Sequence, residues 1–212
     1  DNPVLTRHIA KLAEWQTTRI FDYGGRADRA ERKFYGSECG LFIGSSATRA
    51  EVLANAKFEV GYGMLPYWPD VPGAPQNSII GGGSLWVLKD RPETEYKGVA
   101  RFFAYLARPE VQARWHQATG YLPITRAAYE LSRTQGFYDR NPGADISIRQ
   151  ITLKPPTANS RGLRLGSFVL IRDIAEDEME QAFAGRKPAA AALKDAVARG
   201  NAALRDFEAA NR

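Results

Sequence analysis

At 212 residues with 44% hydrophobic content, the chain can bury a substantial core and is long enough for one large domain or parts of two. Its 29 Lys and Arg against 24 Asp and Glu leave a net charge of +5 that is interleaved with acids nearly everywhere, which argues against a nucleic-acid partner. One cysteine, Cys39, and two histidines, His8 and His116, exclude an internal disulfide, a cysteine zinc site and a CxxC redox pair, and provide no HxxxH or HxH spacing for a metal.

No signal-peptide pattern is present, and the longest apolar runs fall far short of the roughly twenty residues needed to cross a bilayer. Asp1-Asn2-Pro3 reads as the cap and first turn of a helix already under way, as expected of a piece taken from a longer chain. That helix should run from Pro3 to Thr18, with Leu5, Ile9, Leu12 and Trp15 at helical spacing and Arg7, Lys11 and Glu14 on the wetter side. After Gly24-Gly25 and the mixed segment Arg26 to Phe34, Glu38 to Ile43 is an apolar run too short for a helix and reads as a buried strand. Gly44-Ser45-Ser46 ends it, and the residues through Asn55 read as a helix.

Phe58 to Leu65 alternates as a second strand, and the proline-rich stretch Pro66 to Pro75 must be a loop or crossover. Ile79 to Leu88 is strand-like on both flanks of Gly81-Gly82-Gly83. Helices follow from Glu93 to Ala107, from Pro109 to Thr119 with Gly120 as its terminal cap, and from Thr125 to Thr134. A short helical stretch at Ile146 to Ile151 precedes Pro155-Pro156 and a polar loop to Arg161. A long helix is expected from Gly166 to Gly185, and an alanine-rich one from Pro188 through Phe207. Many helices with a few glycine-bounded strands indicate an α/β organisation, and no fixed-period repeat is present.

Candidate chemistry is sparse. The triple glycine lacks the spacing and the following lysine of a nucleotide phosphate loop, so it is either a strand of small residues or an exposed N–H aimed into a cleft. Ser45 and Ser46 are not in a GxSxG setting, and neither histidine has an evident base-and-orienter arrangement. Helix capping is the simpler role for Ser45, although a serine at a helix start also suits an anion. Arg172 lies in a strongly apolar helix beside Ile171 and one turn from Phe168 and Glu176. Its guanidinium snorkels to water, pairs with Glu176, or faces an anionic ligand; spacing alone favours the first two. The acidic run Glu176, Asp177, Glu178 and Glu180 reads most simply as a solvated face.

Several longer strings carry a resemblance. Met64-Leu65-Pro66-Tyr67, the run from Ala74 through Val87, Trp115-His116-Gln117-Ala118-Thr119-Gly120-Tyr121-Leu122-Pro123-Ile124-Thr125, Gln135-Gly136-Phe137-Tyr138 and Gly162-Leu163-Arg164-Leu165-Gly166 resemble the periplasmic glycerol-3-phosphate-binding proteins of bacterial ABC importers. The agreement covers nearly the whole chain. It implies a two-lobed, type II periplasmic-binding-protein-like α/β receptor of which this chain is the helix-rich C-terminal half. Residues 1–77 and 158–212 would contribute to one lobe and 78–157 to the other, with crossings at Pro66 to Pro75 and Pro155 to Arg161.

By the same resemblance, ligand contacts fall on Ser45, Gly82, Tyr121 and Arg172. The implied role is extracytoplasmic capture of sn-glycerol 3-phosphate or a related glycerophosphodiester for membrane permease subunits, with the N-terminal half supplying the other contacts. No catalysis, cofactor or metal is implied. The alternatives are a receptor for a neutral sugar or oligosaccharide, and a self-contained anion-binding or hydrolytic domain. The hydrolytic domain would need a catalytic pair that the sequence does not present.

Overall fold

Asn2 starts the first helix by capping it. Its side-chain oxygen accepts from the N–H groups of Val4 at 2.8 Å and Leu5 at 3.4 Å, and Pro3 brings a preset φ to the first helical position. Helix α1 (Pro3–Thr17) then presents Ile9 to the core, with Leu12 packed beside it. The computed structural model describes residues 2–27 and 29–212; Asp1, read above as part of the cap, and Asp28, within the mixed segment, lie outside the described residues.

The remaining helices are α2 (Arg29–Tyr35), α3 (Arg49–Asn55), α4 (Glu93–Leu106), α5 (Pro109–Thr119), α6 (Arg126–Thr134), α7 (Phe137–Arg140), α8 (Ile146–Ile151), α9 (Phe168–Phe183) and α10 (Ala189–Ala210). A single 3-10 turn, Ser46–Thr48, leads into α3, and another spans Ala158–Ser160. The expected boundaries agree with these to within a few residues, and recognisable caps mark some of the ends. Thr125 Oγ1 accepts from the Ala128 N–H at 3.2 Å, and Gly120 takes the left-handed conformation that closes α5. Short α2 and α7 were not anticipated.

The strand component of the expected α/β class is absent among the described residues. The three segments read as strands, 38–43, 58–65 and 79–88, take no regular secondary structure. Glu38 to Ile43 is also not buried: Leu41 is 73% exposed, and in the triple-glycine segment Trp86 is 87% exposed. The sequence pattern of a strand specifies which face is apolar, but the strand itself exists only when a neighbour supplies the ladder hydrogen bonds, and no neighbour is present among these residues. No described helix is long and apolar enough to cross a membrane.

The chain divides into two compact units, Asp1–Lys33 with Leu163–Arg212, and Phe34–Gly162. In the first, α1, α9 and α10 surround a small core of Ile9, Ala182, Ala189 and Ala192, edged by Leu12, Met179, Phe183 and Leu193. Ala189, Ala192, Gly200 and Ala203 are the buried positions of α10, a narrow stripe of small residues that lets the neighbouring helix come close.

The acidic run of α9 is not the solvated face that its composition suggested. Glu178 is only 6% exposed and is held by Lys187 Nζ at 2.6 Å and Arg199 Nη1 at 2.8 Å. Arg26 bonds both Asp177 and Glu180 at 2.6 Å, and Tyr23 donates to Glu180 at 3.1 Å. These cations hold Asp177, Glu178 and Glu180 below the usual carboxylate range.

The second unit is organised around α5 and α6. Ala113, Ala128 and Ser132 are nearly closed to solvent, and small side chains there let the two helices pack tightly. Ser132 returns its hydroxyl proton to the Ala128 carbonyl at 3.0 Å and accepts from Gln117 Nε2 at 3.1 Å, so its burial leaves no polar atom unpaired.

Candidate functional site

The second unit forms an open cavity of about 780 Å³. Ser45, Gly82 and Tyr121 all line it, and each reaches it for a local reason. Gly120 ends α5 at φ +79°, and a Cβ on it would stand 2.4 Å from the Ser46 carbonyl oxygen. Only glycine allows both the turn and the approach, so the residue after it, Tyr121, is delivered beside the Ser45-Ser46 turn.

Ser45 is exposed at the start of the 3-10 turn, where its Oγ accepts from the Ala47 N–H at 3.2 Å. Its hydroxyl proton has no acceptor among the described residues. Gly82 has φ +123°, and a Cβ there would lie 3.7 Å from Tyr121 Cε1, so glycine and tyrosine ring face each other across a van der Waals gap.

Tyr121 is anchored through its backbone, and the residue is 43% exposed. Its N–H donates to Thr119 Oγ1 at 3.2 Å, and its carbonyl lies 2.6 Å from His116 Nδ1. A carbonyl can only accept, so Nδ1 carries the proton, and Nε2 accepts from the Tyr138 hydroxyl at 3.0 Å. His116 is 2% exposed, and burial pushes its pKa down, against the opposing pull of the Tyr121 carbonyl; the positive charge of Arg49 adds to the depression. Burial likewise pushes the Tyr138 hydroxyl up to about 12. His116 is therefore a neutral structural residue that holds Tyr121, in keeping with the absence of metal spacing.

Two residues of this cavity gave no warning in the sequence. Arg49, in the first turn of α3, stacks over the Tyr62 ring with Cζ 5.4 Å from its centroid and donates from Nη2 to Asn141 Oδ1 at 3.4 Å. Arg49 Nε and the Tyr62 hydroxyl oxygen are both sealed from solvent without a hydrogen-bond partner. The cue, an arginine four residues after Ser45 and a tyrosine inside a strand-like run, is too common to single out. Gln150 was missed as well. Its amide ties the Leu65 N–H at 2.9 Å and the Gln76 carbonyl at 3.2 Å, joining two irregular segments of the cavity wall.

Arg172 belongs to the other unit. It is exposed on α9 and makes no hydrogen bond or ion pair among the described residues. The pairing with Glu176 considered from the sequence does not form; Glu176 approaches Arg26 at 3.9 Å instead. Among the described residues no group of three or more His, Cys, Asp or Glu side chains is placed to hold a metal ion.

What the cavity presents is a set of neutral donors, two tyrosine rings and one guanidinium, with no nucleophile paired to a base. That is the equipment of a binding wall. Known proteins agree with it. The chain is 50% identical over all 212 residues to the sn-glycerol-3-phosphate-binding periplasmic protein UgpB of Salmonella typhimurium, covering 48% of that protein. It is 47% identical over 212 residues to its counterpart in Yersinia pseudotuberculosis, again 100% of this chain and 48% of the other. With the protein of the same name from Pectobacterium atrosepticum it shares 49% over 208 residues, 98% of this chain and 47% of the relative. The chain thus spans about half the length of the curated relatives it matches. A family model for bacterial extracellular solute-binding proteins matches residues 1–144, and with that match across most of its length the chain belongs to the bacterial extracellular solute-binding protein family.

Proposed function

We propose that this chain is the C-terminal half of a two-lobed periplasmic receptor that captures sn-glycerol 3-phosphate, or a related glycerophosphodiester, and delivers it to the permease subunits of an ABC importer. The observation that carries the reading is the meeting of Ser45, Gly82 and Tyr121 on one cavity wall, in a chain whose relatives are named for binding this phosphate ester. A glycerol phosphate has a dianionic head and a short hydroxylated tail, so it needs charge-assisted donors at one end and neutral hydrogen-bonding groups at the other.

In this reading Arg172 contributes positive charge, the Ser45 hydroxyl and the Gly82 N–H contribute neutral donors, and Tyr121 offers a ring edge or its hydroxyl. The receptor binds without turning over its ligand, and closure of the lobes is the signal read by the permease, since only the closed state brings both half-sites to the ligand. Residues 1–77 and 158–212 would belong to one lobe and 78–157 to the other. These lobes include the rest of the receptor and are a different division from the two compact units within this chain.

The test is calorimetric titration of the full-length receptor with glycerol 3-phosphate. A lost charged hydrogen bond is worth about 1.5–3 kcal/mol, so Arg172→Ala should weaken binding roughly tenfold or more. Unchanged affinity in that variant would remove Arg172 from the site.

A further inference from the structure

Arg49 is the one charged side chain lining the cavity among the described residues, and no carboxylate accompanies it there. Its neighbours are neutral: the Tyr62 ring beneath it and the Asn141 amide, reached by a single long hydrogen bond of 3.4 Å. The guanidinium is half-buried and its Nε–H is sealed from water without an acceptor. The adjoining Tyr62 hydroxyl oxygen is in the same condition.

A guanidinium drawn partly out of water ordinarily finds a counter-charge, because desolvation costs several kcal/mol unless attraction offsets it. The half-buried Arg26 and Lys187 follow that rule, each holding a carboxylate at 2.6 Å. Arg49 departs from it, and does so on the cavity that also holds Ser45, Gly82 and Tyr121. A cavity whose one charge is an uncompensated cation is built for an anion.

We propose that Arg49 is the cationic contact of this cavity, one that engages the phosphate group of the ligand and selects a phosphomonoester over a diester. The proposal rests on the receptor reading above and deepens it. Ser45 and Tyr121 orient the ligand from neutral groups, whereas Arg49 reads its charge, and its planar fork suits the two oxygens of a phosphate better than an ammonium would. Stacking on Tyr62 fixes the plane of the fork.

Calorimetry on the full-length receptor, with Arg49→Met and Arg49→Lys beside the wild type, decides this. Each would be titrated with glycerol 3-phosphate and with glycerophosphocholine at about pH 7.5, where the monoester phosphate carries nearly two negative charges and the diester one. Arg49→Met should weaken the monoester roughly tenfold or more while moving the diester less, so that the preference between them narrows. Arg49→Lys should fall between. A merely structural role would weaken both ligands alike and leave their ratio unchanged, and that result overturns the proposal, as does unaltered binding of both. Should Arg49→Met fail to fold, Arg49→Lys decides alone: a narrowed ratio supports the proposal and wild-type values overturn it. A wild-type receptor that binds neither ligand defeats the receptor reading itself, an outcome distinct from wild-type binding that the Arg49 variants leave intact.

Discussion

His116 has its tautomer assigned by its neighbours, and this makes a pH effect predictable. With Nδ1–H given to the Tyr121 carbonyl and Nε2 accepting from Tyr138, the ring is satisfied only when neutral. Its pKa in the fold lies below the ordinary 6.5, so the unfolded chain binds the proton more readily. The stabilisation is therefore complete above 6.5 and is lost as pH falls from there through the folded value. Denaturant unfolding at about pH 7.5 and about pH 5.5 should show lower stability at the acid value, and His116→Gln should lessen the difference. Equal pH dependence in the two proteins would contradict this. The lowered carboxylates Asp177, Glu178 and Glu180 lose their stabilisation in a separate window, below their ordinary values of 3.8 to 4.5. At this scale the sequence was readable where a residue answers to its chain neighbours, as Gly120 and Ser45 do. Arg49 was not, since what sets it apart is a missing carboxylate, and an absent partner leaves no mark in a string of letters.

Gln150 shows how short elements are held in place. From α8 its side chain pairs with the Leu65 N–H and the Gln76 carbonyl, while Asn77 and the Lys154 backbone exchange two hydrogen bonds of 2.7 Å. Gln150→Leu should leave both backbone groups without a partner and cost about 1–3 kcal/mol, read as a lower denaturant midpoint. An unchanged midpoint would mean that water replaces the amide. The helices were legible because their instructions are local: Asn2 and Thr125 as caps, Gly120 as a stop, alternation at helical spacing between. The segments around Leu41, Tyr62 and Leu85 were legible only as apolar alternation. A strand needs a neighbour to supply its ladder hydrogen bonds, and among the described residues none does so for these segments.

On the scale of the whole molecule, large apolar side chains remain uncovered where regular structure is missing, with Leu41, Ile43, Leu85, Trp86 and Leu88 all exposed. A run of that kind marks a surface that meets another part of a protein. The relatives are about twice as long as this chain, and in the proposed receptor the remaining half would cover these residues and complete the site. The family was legible from strings such as the triple glycine and Thr119-Gly120-Tyr121-Leu122-Pro123, while the exposure of Leu41 and Ile43, in a run that reads as a buried strand, was not. The most direct test is a calorimetric titration of glycerol 3-phosphate into the full-length receptor and, in parallel, into the 212-residue chain alone. Stoichiometric binding by the full-length protein, with none by the chain, is the predicted result; tight one-to-one capture by the chain alone would contradict a site completed by a second lobe.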